Sequence, residues 1–131
     1  MYHKFRKHIP LYRAKCIANG KYVIGYLKRC TDTGSDVIQT EDWWDYQVDI
    51  NTLAIHFPDM IDSKENKIFA SLNDNGIYGD IVTRDGKDFI IYYKSVNGRF
   101  EGKEIETQNN QGLHNLHYHK FSQSIIIGIN E

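Results

Sequence analysis

At 131 residues, with 40% hydrophobic and 13% aromatic side chains, the chain has the size of one domain and too much apolar material to stay disordered. Its formal net charge is −1, and its apolar runs, such as Ile125-Ile126-Ile127-Gly128-Ile129, are far shorter than the roughly 20 residues of a membrane-spanning helix. A helical span is therefore excluded and no membrane partner is expected, while a pI near 6.6 is not that of a dedicated nucleic-acid binder.

The chain opens with Met1-Tyr2-His3-Lys4-Phe5-Arg6-Lys7-His8, which is basic but lacks the apolar core of a secretory signal, so a cytoplasmic location is expected. In that reducing compartment Cys16 and Cys30 are read as core residues or free thiols rather than a disulfide. Residues 1–10 form a basic extension of a single domain spanning 1–131. Asn19-Gly20 is a two-residue hairpin signal, because both residues tolerate the positive φ of a type I′ turn. It joins predicted strands at 11–17 and 21–29. In the second, Tyr22, Ile24 and Tyr26 point one way and Val23, Gly25 and Leu27 the other, which suits a strand covered on both sides or a barrel strand with a partner surface outside.

A loop at 31–35 precedes a strand at 36–40, and Glu41-Asp42-Trp43-Trp44-Asp45 leads into strands at 46–49 and 53–57. Residues 59–67 are polar and read as a loop or one helical turn. Asn73-Asp74-Asn75-Gly76 is a turn, and 80–84 a strand. Asp85-Gly86 and Asn97-Gly98 are two further hairpin signals around the strands 89–93 and 99–105. Residues 106–112 have loop composition, 113–122 are ambiguous between strand and helix, and 125–129 reads as a buried closing strand. With no sustained helical period, the pattern predicts a mainly β fold: a small antiparallel barrel-like domain with at most one or two short helices.

Tyr12-Arg13-Ala14-Lys15, Asn19-Gly20 and Val23-Ile24-Gly25-Tyr26-Leu27, followed by Val48-Asp49 and Thr52-Leu53, resemble the opening half of the YopX family of phage and prophage proteins. The resemblance continues in Phe69-Ala70-Ser71-Leu72, Asn73-Asp74-Asn75-Gly76, Ile77-Tyr78-Gly79-Asp80-Ile81-Val82 and the closing Ile126-Ile127-Gly128-Ile129-Asn130-Glu131. Departures are Ser71 where the family has Gly, a shorter turn before Ile77, an insertion-like stretch at 56–67, and no Asn directly after Gly128. The resemblance implies a barrel-like β fold and a phage or prophage origin, and it brings no catalytic residue. Read physically, Gly79 suits a bulge or positive φ, and Asp80 suits a carboxylate that bonds nearby backbone amides.

Candidate chemistry is sparse. Residues 1–29 hold eight Lys or Arg and no acid, whereas 32–62 hold eight Asp or Glu and no Lys or Arg. That division fits a nucleic-acid face, a self-complementary assembly, or plain solvent faces of strands. Arg13, Lys15, Lys21, Tyr22 and Tyr26 are the candidates for holding single-stranded nucleic acid, cations interleaved with stacking platforms. Trp43 and Trp44 are the candidates for a protein contact; if both lie on a strand, one indole enters the core and the other anchors an interface. His114, His117 and His119 are weak metal candidates, since His-x-His on a strand presents two imidazoles on one face but lacks a third ligand. Asp59, Asp85 and Lys87 match a nuclease set only superficially, because Asp85-Gly86 already reads as a turn. No nucleophile elbow or phosphate-cradling loop occurs, and no cofactor is expected. The expected function is that of a non-catalytic phage or prophage accessory domain that binds a host or phage protein or assembles with itself. A nucleic-acid-binding barrel and a cryptic metal-dependent enzyme are the alternatives.

Overall fold

The computed structural model describes residues 5–6, 8–30, 32–107, 112 and 114–131. The start of the basic extension (1–4 and 7), Thr31, the loop centre at 108–111 and Leu113 lie outside the described residues. The fold is mainly β, with strand far in excess of helix among the described residues. The sequence reads as one domain; within it the contacts form two compact units, Met1–Pro58 and Asp59–Glu131.

The first unit holds β1 (Leu11–Cys16), β2 (Tyr22–Arg29), β3 (Asp36–Gln39) and β4 (Asp45–His56). Each strand pairs antiparallel with the next, and β1 also pairs with β4, so the four close into a ring. Ala14, Ile38, Val48 and Leu53 fill the interior, with Tyr12, Val23 and Leu27 packed against them. Val23 and Leu27 pack on the interior, so strand alternation puts Tyr22, Ile24 and Tyr26 on the outer face; the sequence pattern separates the two sets without saying which is outside. The two strands predicted at 46–49 and 53–57 are one long β4, interrupted by a register shift against Arg13 and Lys15. Thr52 spans the interruption: its hydroxyl donates to the Asp49 carbonyl at 2.7 Å and accepts the Lys15 amide at 2.8 Å. A side chain thus replaces the backbone partners that the bulge removes.

The second unit is built on β7 (Lys87–Lys94), which pairs antiparallel with β6 (Asp80–Arg84) and β8 (Arg99–Glu104). β10 (Ile125–Ile129) joins β6, β9 (Asn115–His117) joins β8, and the two-residue β5 (Ala70–Ser71) runs parallel to β7 beyond the end of β6. The ambiguous stretch 113–122 becomes β9 followed by a 3-10 turn at Tyr118–Gln123, whose Phe121 is buried. β10 is not the buried strand that its composition suggests, because Ile125 and Ile127 are exposed at its surface.

Only one of the three Asx-Gly signals makes the two-residue turn. Asp85 and Gly86 both have positive φ, and Arg84 faces Lys87 directly. At the other two sites the loop is four residues long: Gly20 and Gly98 alone are left-handed, and their amides return to the Cys16 and Lys94 carbonyls. Gly79 likewise differs from expectation. The positive φ falls on Tyr78 and Gly76, while a Cβ on Gly79 would stand 2.1 Å from the Ile91 carbonyl oxygen. Asp80 exchanges two bonds with Phe69, donating its amide to the Phe69 carbonyl and accepting the Phe69 amide on Oδ2, each at 2.8 Å.

Gly25 is the tightest point of the ring. A Cβ there would lie 1.9 Å from the Gln39 carbonyl oxygen and 2.7 Å from its carbon, both backbone atoms that cannot rotate away. Gly25→Ala is expected to cost about 1–3 kcal/mol or more, read as a lower urea midpoint with an unchanged slope. Wild-type stability in that variant would mean that β2 and β3 can part at no cost.

Asp62 organises the loop that the sequence leaves undefined. It is almost fully buried and accepts the Lys64 and Asn66 amides at 2.9 Å and the Ile126 amide at 3.1 Å, tying the loop to β10. Burial alone raises its pKa, but the amides of Ile126, Asn66 and Lys64 outweigh burial and hold it below the ordinary carboxylate value. A depressed folded-state pKa stabilises above the unfolded value, near 4, and that stabilisation is lost as pH falls through the folded value. Asp62→Asn should therefore cost about 1–3 kcal/mol at neutral pH. The gap to wild type should narrow below about pH 4, measured by denaturation across pH 2–7. A gap of constant size would mean that shape, not charge, holds the loop.

Candidate functional site

The turn between β3 and β4 carries both tryptophans. Gln39 faces Asp45, and the Thr40 amide donates to the Trp44 carbonyl at 3.0 Å while the Trp43 amide donates to the Thr40 carbonyl at 3.1 Å. The Thr40 hydroxyl is bonded to the Asp42 carboxylate. These bonds make a short hairpin loop whose last position, Trp43, takes a φ of +67°. The expectation of one buried and one exposed indole fails for this reason. Neither residue lies on a strand, so neither is directed inward, and the indoles are 57% and 64% exposed. Glu41 and Asp45 beside them are exposed as well, and Asp45 pairs with Lys28 at 3.0 Å.

The nucleic-acid candidates are partly gathered. Lys15 faces Tyr22 across β1 and β2, and Arg13 is two residues along β1 on the same face. The Arg13 guanidinium and the Lys15 ammonium lie 5.3 and 5.5 Å from the Tyr22 ring centre, within cation–π range. Arg13 is nevertheless only 6% exposed. Lys21 is exposed in the hairpin loop next to Tyr22. Tyr26 lies farther along the face, in an edge-on contact with Phe5 at 5.0 Å, its hydroxyl accepting the Arg6 amide at 2.6 Å. Ile9, Pro10, Tyr12, Tyr26 and Leu27 line a groove of about 290 Å³ there, which no feature of the sequence announces because its walls come from two separate stretches of the chain.

The histidines separate. His117, the last residue of β9, and His119 in the 3-10 turn stack with ring centres 6.0 Å apart, at one side of a groove of about 510 Å³ that Arg99, Phe100, Glu101 and Tyr118 complete. His114 points elsewhere, its Nδ1 2.9 Å from a Glu104 oxygen. Among the described residues no three His, Cys, Asp or Glu side chains meet as a metal site. Asp59 bonds the Tyr118 hydroxyl, and Asp85 pairs with Arg84 at 3.1 Å in its exposed turn, so the acids of the nuclease-like set have separate structural partners. Burial, with the Asp59 carboxylate adding to it, pushes the Tyr118 hydroxyl pKa well up. Cys16 and Cys30 are both free.

No helix among the described residues is long and apolar enough to cross a membrane. No known protein family, curated protein or solved structure matches the chain.

Because His114 is engaged with Glu104 and, among the described residues, the stacked pair forms no three-ligand cluster, chelation should leave the protein intact. EDTA is expected to shift the melting temperature by less than a degree or so. A fall of several degrees, restored by one divalent ion, would return His117 and His119 to the status of metal ligands.

Proposed function

We propose that the chain is a non-catalytic protein-binding module, of the phage or prophage accessory kind that its resemblance to the YopX family suggests, and that it binds through the Trp43-Trp44 turn. One observation carries this reading: a tryptophan occupies the left-handed position of a tight turn, next to a second tryptophan, with both indoles mostly in water. The left-handed conformation costs an L-residue about 1–2 kcal/mol, and Gly or Asn would fill it with less strain. Exposing two indoles forfeits their burial as well. A sequence that bears both costs gains something other than folding energy, and a large rigid aromatic is the commonest anchor of a protein interface.

The nucleic-acid reading draws on Arg13, Lys15 and Tyr22, yet Arg13 is buried and both cations already cover the Tyr22 ring, which leaves less face for a base to stack on. A metal-dependent enzyme would need a third ligand beside His117 and His119.

The double variant Trp43→Gly with Trp44→Ala tests the protein-binding reading. It is expected to melt at or above the wild-type temperature, Trp43→Gly contributing up to about 1 kcal/mol of relief. It is also expected to lose a partner that the wild type retains from phage-infected or lysogenic host lysate. A melting temperature several degrees lower would make the indoles structural and defeat the proposal.

A further inference from the structure

We infer that the turn's partner is a second copy of this chain, each copy seating its Trp44 indole in the other's groove beside Tyr26 across a two-fold axis. The inference rests on the reading of the tryptophan turn as a contact, and it adds what receives it.

The projection and the recess belong to the same four-stranded ring. The groove walls are Ile9, Pro10, Tyr12, Tyr26 and Leu27, all apolar or aromatic, and neither tryptophan lines the groove of its own molecule. At about 290 Å³ it falls just under the usual range of roughly 300–1,000 Å³ for small-ligand sites, which suits one large aromatic side chain better than a cofactor. The two features are also neighbours. Gln39, the last residue of β3, faces Tyr26, so the turn leaves the sheet one residue beyond the groove. A patch that carries its own projection beside its own recess is self-complementary. Two copies related by a two-fold axis can then fill both recesses at once, which closes the assembly as a dimer instead of an open fibre.

Charge supports the same occupant. One cation borders the groove, Lys28 directly after Leu27, and the exposed Arg6 is tied beside it by its backbone amide on the Tyr26 hydroxyl. The turn is flanked by Glu41, Asp42 and Asp45. Within one protomer Lys28 and Asp45 already pair at 3.0 Å, with both side chains 45% exposed, so the pair sits at the border of the two features. Bringing the turn of one copy to the groove of another sets acid against base, which orients the encounter, while the buried indole supplies the affinity.

The chain contains only two tryptophans, both in the turn, so its intrinsic emission reports on this contact directly. Raising the protein from nanomolar to high micromolar concentration is expected to shift the emission from the red of exposed indole toward the blue, in step with a monomer–dimer transition by sedimentation. Trp44→Ala removes the projection and Ile9→Arg blocks the recess; each alone is expected to raise the dimer dissociation constant by at least about 30-fold, with circular dichroism and melting temperature checked for each. Mixed together, the two variants should form a heterodimer, because the Ile9→Arg copy still offers an indole to the open groove of the Trp44→Ala copy. If Ile9→Arg fails to fold, Lys28→Glu serves in its place, set against Asp45→Lys as the charge-swapped mate. A wild type that stays monomeric and red-emitting throughout, or a dimer indifferent to these variants, would overturn the inference. A monomeric wild type that still captures a lysate protein through its tryptophans would leave the turn as a contact for a different partner.

Discussion

Closure of β1 against β4 is the constraint on which the first unit depends. Four strands enclose little space, since the width of a barrel grows with strand number. Ala14, Ile38, Val48 and Leu53, with part of Tyr12, Val23 and Leu27, are enough to fill it. The closed ring also forces β2 and β3 together until the Gln39 carbonyl occupies the space where Gly25 would carry a Cβ. The same closure pairs both edges of the four-stranded sheet, edges that would otherwise invite pairing with other chains.

The second unit uses a different economy. Its sheet leans on polar groups that are buried and satisfied: the Asp80 carboxylate holds Phe69, the Asp62 carboxylate gathers three amides, and the Ser71 hydroxyl donates to the Ile77 carbonyl at 2.6 Å while accepting the Asn73 amide at 3.0 Å. Such groups are expensive to bury alone and inexpensive once every lone pair has a donor. They fix loops that have little apolar area of their own, and the Asp62 carboxylate also ties the Ile126 amide of β10, a strand whose Ile125 and Ile127 are exposed.

A largely exposed tryptophan in a conformation that a glycine would adopt more readily is a local conflict between sequence and fold, and the left-handed Tyr78 and Glu65 are others. Conflicts of that kind concentrate at functional sites, because folding alone would remove them.

Strand positions were legible in the sequence because alternation and Asx-Gly punctuation are local. The division of β2 into two faces, the hairpin at Asp85-Gly86 and the mainly β class could all be read from neighbouring residues. The fate of Trp43 and Trp44 was not, since strand alternation predicts opposite faces and only the loop closed by Thr40 and Trp44 turns both indoles out. Nor was the role of Asp62, an acid in a polar stretch until the Ile126 amide, distant in the chain, is brought to it. The groove beside Tyr26 and the parting of His114 from His117 and His119 likewise depend on which segments meet. Periodicity determined which face each strand residue takes; closure of the ring and pairing across long intervals decided what those faces meet, because only tertiary contact brings remote residues within bonding distance.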